Sequence, residues 1–444
     1  MTSFFHTYDL RGKYPDEIGI EEAERVGKAY GTFSDAGEVL VGRDGRKHGE
    51  EVTEAFIQGI LSTGTDVAYA GIVPSPVVYF GQVNSGFESS AVVTASHNPP
   101  KYTGFKFCKQ NAKAMSREGG MREMQRIYEQ KDFVKGVGER SEIGLKKDYI
   151  SAVKDAVDLE EGLEVVVNYG NGVSSVIGRE MLEQIGCEVR GINEEMDGDF
   201  PNHLPDPTND EAQEALDAEM EDEDLGIIFD GDGDRVGFIL PDHGHVDEDE
   251  ILALFSEETL EREKGKIVHD LRCSKLVPEI IEKNGGDPGV TRVGHTFFSQ
   301  EIHSDPDIVF AGELSGHLYF PAYGFPWDDG LFAAALMCQI VSERDVVEKL
   351  ESYPDYPVSP ELRIDCPEEA KEDVVADMKQ EYSDHELSIL DGVKIQFDSG
   401  WALVRPSSTE EKMSVRCEAD TQEDVERILE EVESRVRESI SRNS

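Results

Sequence analysis

The chain has 444 residues, long enough for about three domains of ordinary size with large buried cores. It carries 93 Asp and Glu against 43 Lys and Arg, so the formal net charge is −50. Hydrophobic residues make up 38% of the sequence, which excludes a disordered chain. The excess of acid disfavours nucleic-acid binding, because the sequence offers no basic stripe.

In chain order, amphipathic helices alternate with short apolar strands. Apolar residues at helical spacing predict helices over 23–33, 52–60 and 425–436. Short β-branched runs predict buried strands, which lie at 39–41, 91–93, 165–167, 227–229, 267–268 and 308–310. This alternation predicts an α/β fold with mixed, largely parallel sheets.

Polar loops recur after these strands, which predicts three related α/β domains at residues 1–145, 146–242 and 243–353. From residue 354 the pattern changes to strands followed by one long helix. We therefore expect a smaller C-terminal α+β domain at residues 354–444.

The acidic residues are spread over the whole chain, and such a surface is typical of proteins adapted to high salt. The six cysteines form no Cys-x-x-Cys motif, which argues against a disulfide framework or a thiolate metal site. No signal core precedes Gly12, and no apolar run is long enough to span a bilayer. We expect a halophilic, cytoplasmic protein, with no membrane, nucleic-acid or protein partner evident.

The most informative segment is 230–235, Asp-Gly-Asp-Gly-Asp-Arg, directly after the predicted strand 227–229. Carboxylates at alternate positions are hard oxygen ligands suited to Mg²⁺ or Ca²⁺. An EF-hand is excluded, because Arg235 and Pro241 stand where that loop needs Gly and Glu. The arginine indicates that an anion also comes to the metal. Three Asp in a solvated turn are the alternative.

Ser96 follows the predicted strand 91–93 and precedes Pro99 and Pro100, which stiffen its loop. A serine hydrolase is disfavoured, because there is no Gly-x-Ser-x-Gly elbow. A serine that accepts a phosphoryl group is better motivated by the metal loop, with a rigid turn as the alternative.

Lys106 could neutralise phosphate charge or, with a lowered pKa, move protons, unless it is a surface lysine.

Two further loops carry candidate binding residues. Segment 312–317 offers a carboxylate, a hydroxyl and an imidazole, of which the carboxylate and the hydroxyl suit sugar hydroxyls. His295, in the Val-Gly-His-Thr segment 293–296, is a further candidate of the same kind. Segment 405–409, Arg-Pro-Ser-Ser-Thr, could cradle a phosphate, with Arg416 on the next predicted strand. A polar, solvated turn is the alternative for each loop.

Taken in this order, the loops resemble those of the α-D-phosphohexomutase family, close to its phosphomannomutase/phosphoglucomutase branch. The charge makes the chain resemble a halophilic, haloarchaeal-like member. The resemblance covers nearly the whole chain, and its motifs lie at residues 8–12, 42–44, 74–76, 94–99, 104–106, 230–235, 312–317 and 405–409. Each motif alone is of limited specificity, but four site loops in family order are very specific.

The resemblance implies four domains around a central cleft and a phosphoryl transfer between hexose phosphates. Phosphorylated Ser96 would give its phosphoryl group to a hexose phosphate, and the resulting hexose bisphosphate would return the other group. One Mg²⁺ per chain would be held by Asp230, Asp232, Asp234 and a phosphoserine oxygen. A hexose bisphosphate would act as activator.

The resemblance also assigns roles to other residues. Arg11 and Arg235 would support the phosphoryl site, and Lys106 and His295 are the acid/base candidates. Sugar binding would fall to Glu313, Ser315 and His317. The non-reacting phosphate would be held by Arg405, Ser407, Ser408, Thr409 and Arg416.

Two departures weaken the resemblance in the last loop. The family usually has Gly where this chain has Ser408, and Pro where it has Glu411. Mannose and glucose phosphates are the expected substrates. Phosphoglucosamine mutase is the alternative within the enzyme class, and a non-catalytic sugar-phosphate-binding protein is the alternative outside it.

Overall fold

The computed structural model describes residues 4–6, 8–159, 162–407 and 411–443. The chain divides into two compact units, one formed by Met1–Ile251 and Gly294–Lys349, the other by Leu252–Val293 and Leu350–Ser444. Within the described residues, no helix combines the length and hydrophobicity needed to cross a membrane. All six cysteines are buried and free, as their scattered spacing predicts.

Strands and helices alternate along most of the chain, which confirms the predicted α/β fold. The strands are β1 (Leu10–Lys13), β2 (Glu38–Arg43), β3 (Asp66–Ile72), β4 (Ser90–Val93), β5 (Tyr102–Lys109), β6 (Lys113–Ala114), β7 (Arg140–Glu142), β8 (Leu163–Asn168), β9 (Cys187–Ile192), β10 (Leu225–Phe229), β11 (Val236–Leu240), β12 (Gly244–His245), β13 (Lys266–Asp270), β14 (Asp287–Thr291), β15 (Ile308–Gly312), β16 (Leu318–Phe320), β17 (Phe325–Asp328), β18 (Leu362–Asp365), β19 (Glu386–Ser388), β20 (Val393–Phe397), β21 (Gly400–Pro406) and β22 (Lys412–Ala419). The helices are α1 (Ile20–Ser34), α2 (Gly49–Leu61), α3 (Ser75–Ser85), α4 (Arg122–Gln130), α5 (Lys146–Ala156), α6 (Gly178–Ile185), α7 (Asp210–Asp217), α8 (Glu248–Arg262), α9 (Leu276–Lys283), α10 (His295–Ser304), α11 (Gly330–Glu343), α12 (Val346–Glu351), α13 (Lys371–Glu381) and α14 (Gln422–Asn443).

The first sheet places Ser96 at the carboxyl end of its central strands. Its order is β1-β5-β4-β2-β3-β7, with β6 beside β5. Strands β4, β2, β3 and β7 run parallel, whereas β5 pairs antiparallel with β4 and β1. The four residues of β4 are all buried, which explains why its short apolar run is a clear strand signal.

The second sheet holds the acidic segment in a hairpin connection. Its order is β12-β11-β10-β8-β9, with β10 parallel to β8 and antiparallel to β11. Strand β10 ends at Phe229 and β11 begins at Val236, so residues 230–235 join two fully buried strands. Gly233 has a φ of +78°, a backbone conformation that side chains with a Cβ rarely adopt.

The loop over 313–317 has a similar position in the first unit. It joins β15 to β16, which pair antiparallel from Gly312 opposite Leu318. Strand β17 continues this arrangement beside β16. The second unit contains the parallel pair β13 and β14 and the antiparallel sheet β18-β22-β21-β20-β19.

The prediction that strands alone precede the final helix is wrong, because α13 lies between β18 and β19. Only Val374 and Met378 are buried apolar residues of α13, so its apolar stripe is narrow among many charged residues. The final helix α14 agrees with the predicted periodicity. Its start is capped by Thr421, whose Oγ1 accepts a hydrogen bond of 3.2 Å from the Asp424 amide.

Helices α1 and α2 approach so closely that glycine is required at their crossing. A Cβ at Gly27 would lie 2.0 Å from the carbonyl oxygen of Phe56, and one at Gly59 would lie 2.1 Å from that of Glu24. We expect Gly27→Ala to lower the free energy of unfolding by about 2 kcal/mol, because the helices must move apart. Urea unfolding measures this change.

Gly37 provides the matched control, because a Cβ there would meet nothing within 4 Å. Gly37→Ala should leave the urea midpoint close to that of the unaltered protein. Equal midpoints for the two variants would contradict the close packing of α1 on α2.

Candidate active site

Ser96 is buried and faces the acidic loop. Its Oγ donates a 2.7 Å hydrogen bond to Oδ2 of Asp230 and lies 3.2 Å from Nδ1 of His97. Its backbone has a φ of +48°, a sparsely populated region for a residue with a Cβ. The Ser96 amide donates to Oγ1 of Thr94 over 2.9 Å, which fixes the turn locally. The two loops that the sequence singled out therefore meet in the fold.

The three carboxylates of the acidic loop form a fully buried cluster, and one oxygen from each of Asp230, Asp232 and Asp234 lies within 4.8 Å of the other two. Among the described residues, Oδ1 of Asp232 and Oδ1 of Asp234 are buried without a hydrogen-bond partner. Burial and the neighbouring Asp232 raise the pKa of Asp234 to about 7. Orphaned carboxylate oxygens in an all-oxygen set fit a magnesium ion.

Lys106 projects from β5 into this cluster. Its Nζ donates a 2.7 Å hydrogen bond to Oδ2 of Asp232 and a further one to Oδ2 of Asp234. Burial lowers the pKa of Lys106, but the carboxylates outweigh it and raise the pKa above its ordinary value. Lys106 therefore lacks the lowered pKa that a role in proton transfer would need. The geometry favours a fixed positive charge that also orients two carboxylates.

Arg235 links the acidic loop to two other segments. Its Nη1 donates to Oδ1 of Asp206 over 3.1 Å and to the carbonyl of Ser315 over 3.3 Å, and its Nε donates to Oδ2 of Asp230 over 3.3 Å. Within the part of the chain that the structure describes, the buried Nη2 has no partner. A guanidinium held on three sides with free donors is suited to an anion.

Arg11 is a second arginine that contacts the serine loop. Its Nη1 donates to Oδ1 of Asn98 over 2.6 Å, and its Nε forms a 2.7 Å ion pair with Asp9. Burial, then Arg235 and Arg11, hold the pKa of His97 well below its ordinary value. Through Asn98, Arg11 therefore brings a second positive charge, besides that of Arg235, to the serine loop.

Two imidazoles with opposite pKa shifts lie next to the cluster, with ring centroids 5.7 Å apart. Nδ1 of His317 is 3.0 Å from Oδ2 of Asp328 and 3.9 Å from Oδ1 of Asp234. Burial opposes the charged form of His317, but these carboxylates outweigh it and raise its pKa to about 9. His295 begins α10, and burial lowers its pKa. The surroundings thus favour the charged form of His317 and the neutral form of His295.

Glu313 is buried and rigidly held at the start of its loop. Its Oε2 accepts a 2.9 Å hydrogen bond from the Gly294 amide, and its Oε1 accepts one from Oγ of Ser315. An isolated bridge joins Arg235 to His317, so this loop and the acidic loop are fixed to each other. The predicted sugar-binding groups therefore lie in the same unit as Ser96.

The predicted phosphate loop belongs to the second unit. Arg405 lies near the end of β21, with Nη2 3.2 Å from Oδ2 of Asp391. The carbonyl of Ser407 accepts a 2.9 Å hydrogen bond from Nζ of Lys371. Arg416 lies on β22, as predicted. Two residues of the predicted loop lie outside the described residues: Ser408 and Thr409.

Comparison of the chain with models of known protein families identifies its family. Four models of phosphoglucomutase/phosphomannomutase match consecutive parts of the chain: alpha/beta/alpha domain I at residues 2–135, domain II at 147–244, domain III at 247–356 and the C-terminal domain at 361–435. The chain belongs to the phosphoglucomutase/phosphomannomutase family. It is therefore an enzyme by family, and the resemblance of its motifs to that family is confirmed.

Individual members of the phosphoglucomutase/phosphomannomutase family are similar to this chain over almost their whole length. The chain is 35% identical to the phosphomannomutase/phosphoglucomutase of Pseudomonas aeruginosa PAO1, covering 96% of this chain and 94% of that one. It is 31% identical to a "Probable phosphoglucosamine mutase" of Methanopyrus kandleri, covering 97% of each. A crystal structure of a family protein from Burkholderia thailandensis superposes with a TM-score of 0.91 at 28% identity, covering 99% and 98%.

Sequence reasoning gave no site role to three residues of this family member: Ser75, which it noted only within the motif 74–76, Asp206 and Asp328. Oγ of Ser75 donates a 2.7 Å hydrogen bond to Oδ2 of Asp232. Asp206 holds Arg235, and Asp328 holds His317. Ser75 and Asp206 each stand between two prolines, which is the rigid-loop signal that drew attention to Ser96. Asp328, at the end of a strand, offers no comparable signal.

Proposed function

We propose that the protein interconverts hexose 1-phosphates and hexose 6-phosphates, of mannose, glucose or both, through a phosphoserine at Ser96. The proposal rests on the position of the Ser96 hydroxyl. It lies 2.7 Å from Asp230, which is one of three buried carboxylates that could hold a metal ion. Asp230, Asp232 and Asp234 would hold Mg²⁺, which supplies charge neutralisation for the transferred group. A hexose bisphosphate, formed during the reaction, also serves as the activator that phosphorylates Ser96.

The proposed reaction balances in two transfers. In the first, the bond between phosphorus and Oγ of Ser96 breaks while phosphorus bonds to a hydroxyl of the hexose phosphate. The proton of that hydroxyl passes to His295, the imidazole in which burial favours the neutral form that can accept it. In the second, the bond between the other phosphorus and its sugar oxygen breaks while that phosphorus bonds to Oγ of Ser96, and the released sugar oxygen takes the proton back from the imidazole. Lys106 and Arg235 keep their positive charges throughout.

Sugar and phosphate binding are assigned to separate loops. We infer that Glu313 and Ser315, with His317 beside them, bind sugar hydroxyls, because their donors and acceptors lie in the unit that holds Ser96. The resemblance assigns the binding of the non-reacting phosphate to a further set of residues: Arg405, Ser407, Ser408, Thr409 and Arg416. That assignment stays a prediction.

Glu313→Gln tests the sugar-binding assignment. The substitution keeps the shape of the side chain but removes its charge, so hydrogen bonds from sugar hydroxyls become weaker. We expect kcat/KM for hexose phosphates to fall by about tenfold to a hundredfold, the scale of one charge-assisted hydrogen bond. Steady-state kinetics measure this loss. Glu211→Gln, at an exposed position of α7, is the control, and an equal kcat/KM for both variants would contradict the assignment.

The function itself is tested by phosphorus NMR with Mg²⁺ and a trace of hexose bisphosphate. Mannose 1-phosphate, glucose 1-phosphate and glucosamine 1-phosphate are offered separately. Conversion of either of the first two to its 6-phosphate supports the proposal. Conversion of glucosamine 1-phosphate alone would favour the second candidate, phosphoglucosamine mutase, which the similarity to the Methanopyrus kandleri protein supports. No conversion would favour a binding protein.

The assays should contain concentrated KCl. We infer from the net charge of −50 that the protein works in a salt-rich cytoplasm. At about 1 M salt the Debye length is about 3 Å, so an anionic substrate can approach an acidic surface.

A further inference from the structure

Arg46 is 2% exposed and contacts the Ser96 loop. Its Nη2 donates to the carbonyl oxygens of Ser96 over 2.7 Å and of Asn98 over 2.6 Å. Its Nη1 donates to the carbonyls of Pro99 over 2.9 Å and of Tyr102 over 3.0 Å. One guanidinium therefore holds four main-chain carbonyls of the segment 96–102, from the Ser96 loop to the first residue of β5.

The orientation of this guanidinium is fixed by Asp44, which is buried as well. Oδ2 of Asp44 accepts from Nε of Arg46 over 3.2 Å, and Oδ1 accepts from the Arg46 amide over 3.0 Å. The Phe200 ring covers one face, with its centroid 5.1 Å from the guanidinium carbon. All five N–H donors of the arginine are thus used, four by the loop and one by Asp44.

The conformation of Ser96 explains why its loop needs such support. Its φ of +48° is unfavourable for a residue with a Cβ and persists only where the surroundings hold it. This conformation is the one in which Oγ of Ser96 reaches Asp230 over 2.7 Å. Thr94 holds the Ser96 amide, so Arg46 is the group that holds the carbonyl side of the same residue.

We propose that Arg46 is a positioning residue for phosphoryl transfer at Ser96. By gathering the carbonyls of Ser96, Asn98, Pro99 and Tyr102, it holds the hydroxyl in place against the acidic loop. A lysine keeps the charge but has one nitrogen and no planar fork, so it cannot hold four carbonyls. The inference rests on the proposed function, because it concerns transfer to and from Ser96.

The test compares Arg46→Lys with a matched control, Arg25→Lys. Arg25 also holds a main-chain carbonyl, that of Tyr128 over 2.9 and 2.6 Å, but it is not part of the site. Four quantities are measured in the full-length protein: the rate of phosphoryl transfer from glucose 1,6-bisphosphate to Ser96, kcat for the hexose phosphate, KM for the hexose phosphate, and amide exchange across residues 94–104.

Arg46→Lys should transfer about 100-fold more slowly with KM unchanged, because a small misplacement of the reacting atom affects the rate and not the binding of the sugar. Amide exchange across 94–104 should rise. Arg25→Lys should match the unaltered protein in all four quantities. A wild-type transfer rate in Arg46→Lys would overturn the inference, and so would a slower rate without faster exchange.

A failure of the proposed function gives a different result, because the unaltered protein would then take no phosphoryl group at Ser96. If Arg46→Lys does not fold, Asp44→Asn replaces it, since this variant keeps the guanidinium but removes the charge that orients it. The transfer rate should then fall and exchange across 94–104 should rise. Unchanged values in a folded Asp44→Asn protein would overturn the inference.

Discussion

Ser96→Ala should abolish hexose phosphate interconversion, with a loss of about 10⁴-fold or more, the scale seen when an essential nucleophile is removed. Alanine has no oxygen to carry the phosphoryl group. The acidic loop should remain intact, because Asp230 also accepts a 2.8 Å hydrogen bond from the Gly233 amide. A coupled assay measures the rate, and the intact mass after incubation with hexose bisphosphate shows whether phosphate is bound.

Ser62→Ala is the control for this variant. Oγ of Ser62 donates to the carbonyl of Gly59 over 2.7 Å at the end of α2, so its loss removes a hydroxyl hydrogen bond outside the site. Ser62→Ala should keep the full rate. Normal turnover by Ser96→Ala would exclude a phosphoserine mechanism.

The second large effect is expected from Asp232→Asn, which should weaken Mg²⁺ binding by about 100-fold. Asp232 is chosen because its Oδ1 is buried without a hydrogen-bond partner among the described residues, whereas Asp230 also holds the Ser96 hydroxyl. The asparagine side chain lacks the negative charge of Asp232 and turns either its oxygen or its NH₂ group toward Lys106. Calorimetric titration with Mg²⁺ measures the affinity independently of catalysis.

Asp217→Asn, at the exposed end of α7, is the matched control and should bind Mg²⁺ as the unaltered protein does. An unchanged affinity in Asp232→Asn would mean that the three carboxylates do not form the metal site. The buried cluster would then require another explanation.

The positions of the site loops could be predicted from the sequence, because buried strands give strong local signals. Strands β4 and β10 are short apolar runs, and every residue in them is buried. The loops that follow them carry Ser96 and the three carboxylates, at the end of the sheet where ligands usually bind. Gly233 and Pro99 mark these loops through their backbone preferences.

Contacts between distant segments could not be predicted in this way. Lys106 lies on the antiparallel strand β5, and only the fold shows that its ammonium group contacts both Asp232 and Asp234. These two carboxylates raise the pKa of Lys106. Arg46 follows a polar turn that gives no hint of four carbonyl partners elsewhere. Helix α13 was missed because its buried face is too narrow to stand out among charged residues.

The central claim is that Ser96 carries the phosphoryl group between sugar molecules. It is tested most directly by phosphorylating the protein with radiolabelled glucose 1,6-bisphosphate, removing the excess, and adding unlabelled mannose 1-phosphate or glucose 1-phosphate. We predict that the label is found on Ser96 and leaves with the sugar at the rate of turnover. Turnover that proceeds while Ser96 stays unlabelled, or while its label remains on the protein, would contradict the account.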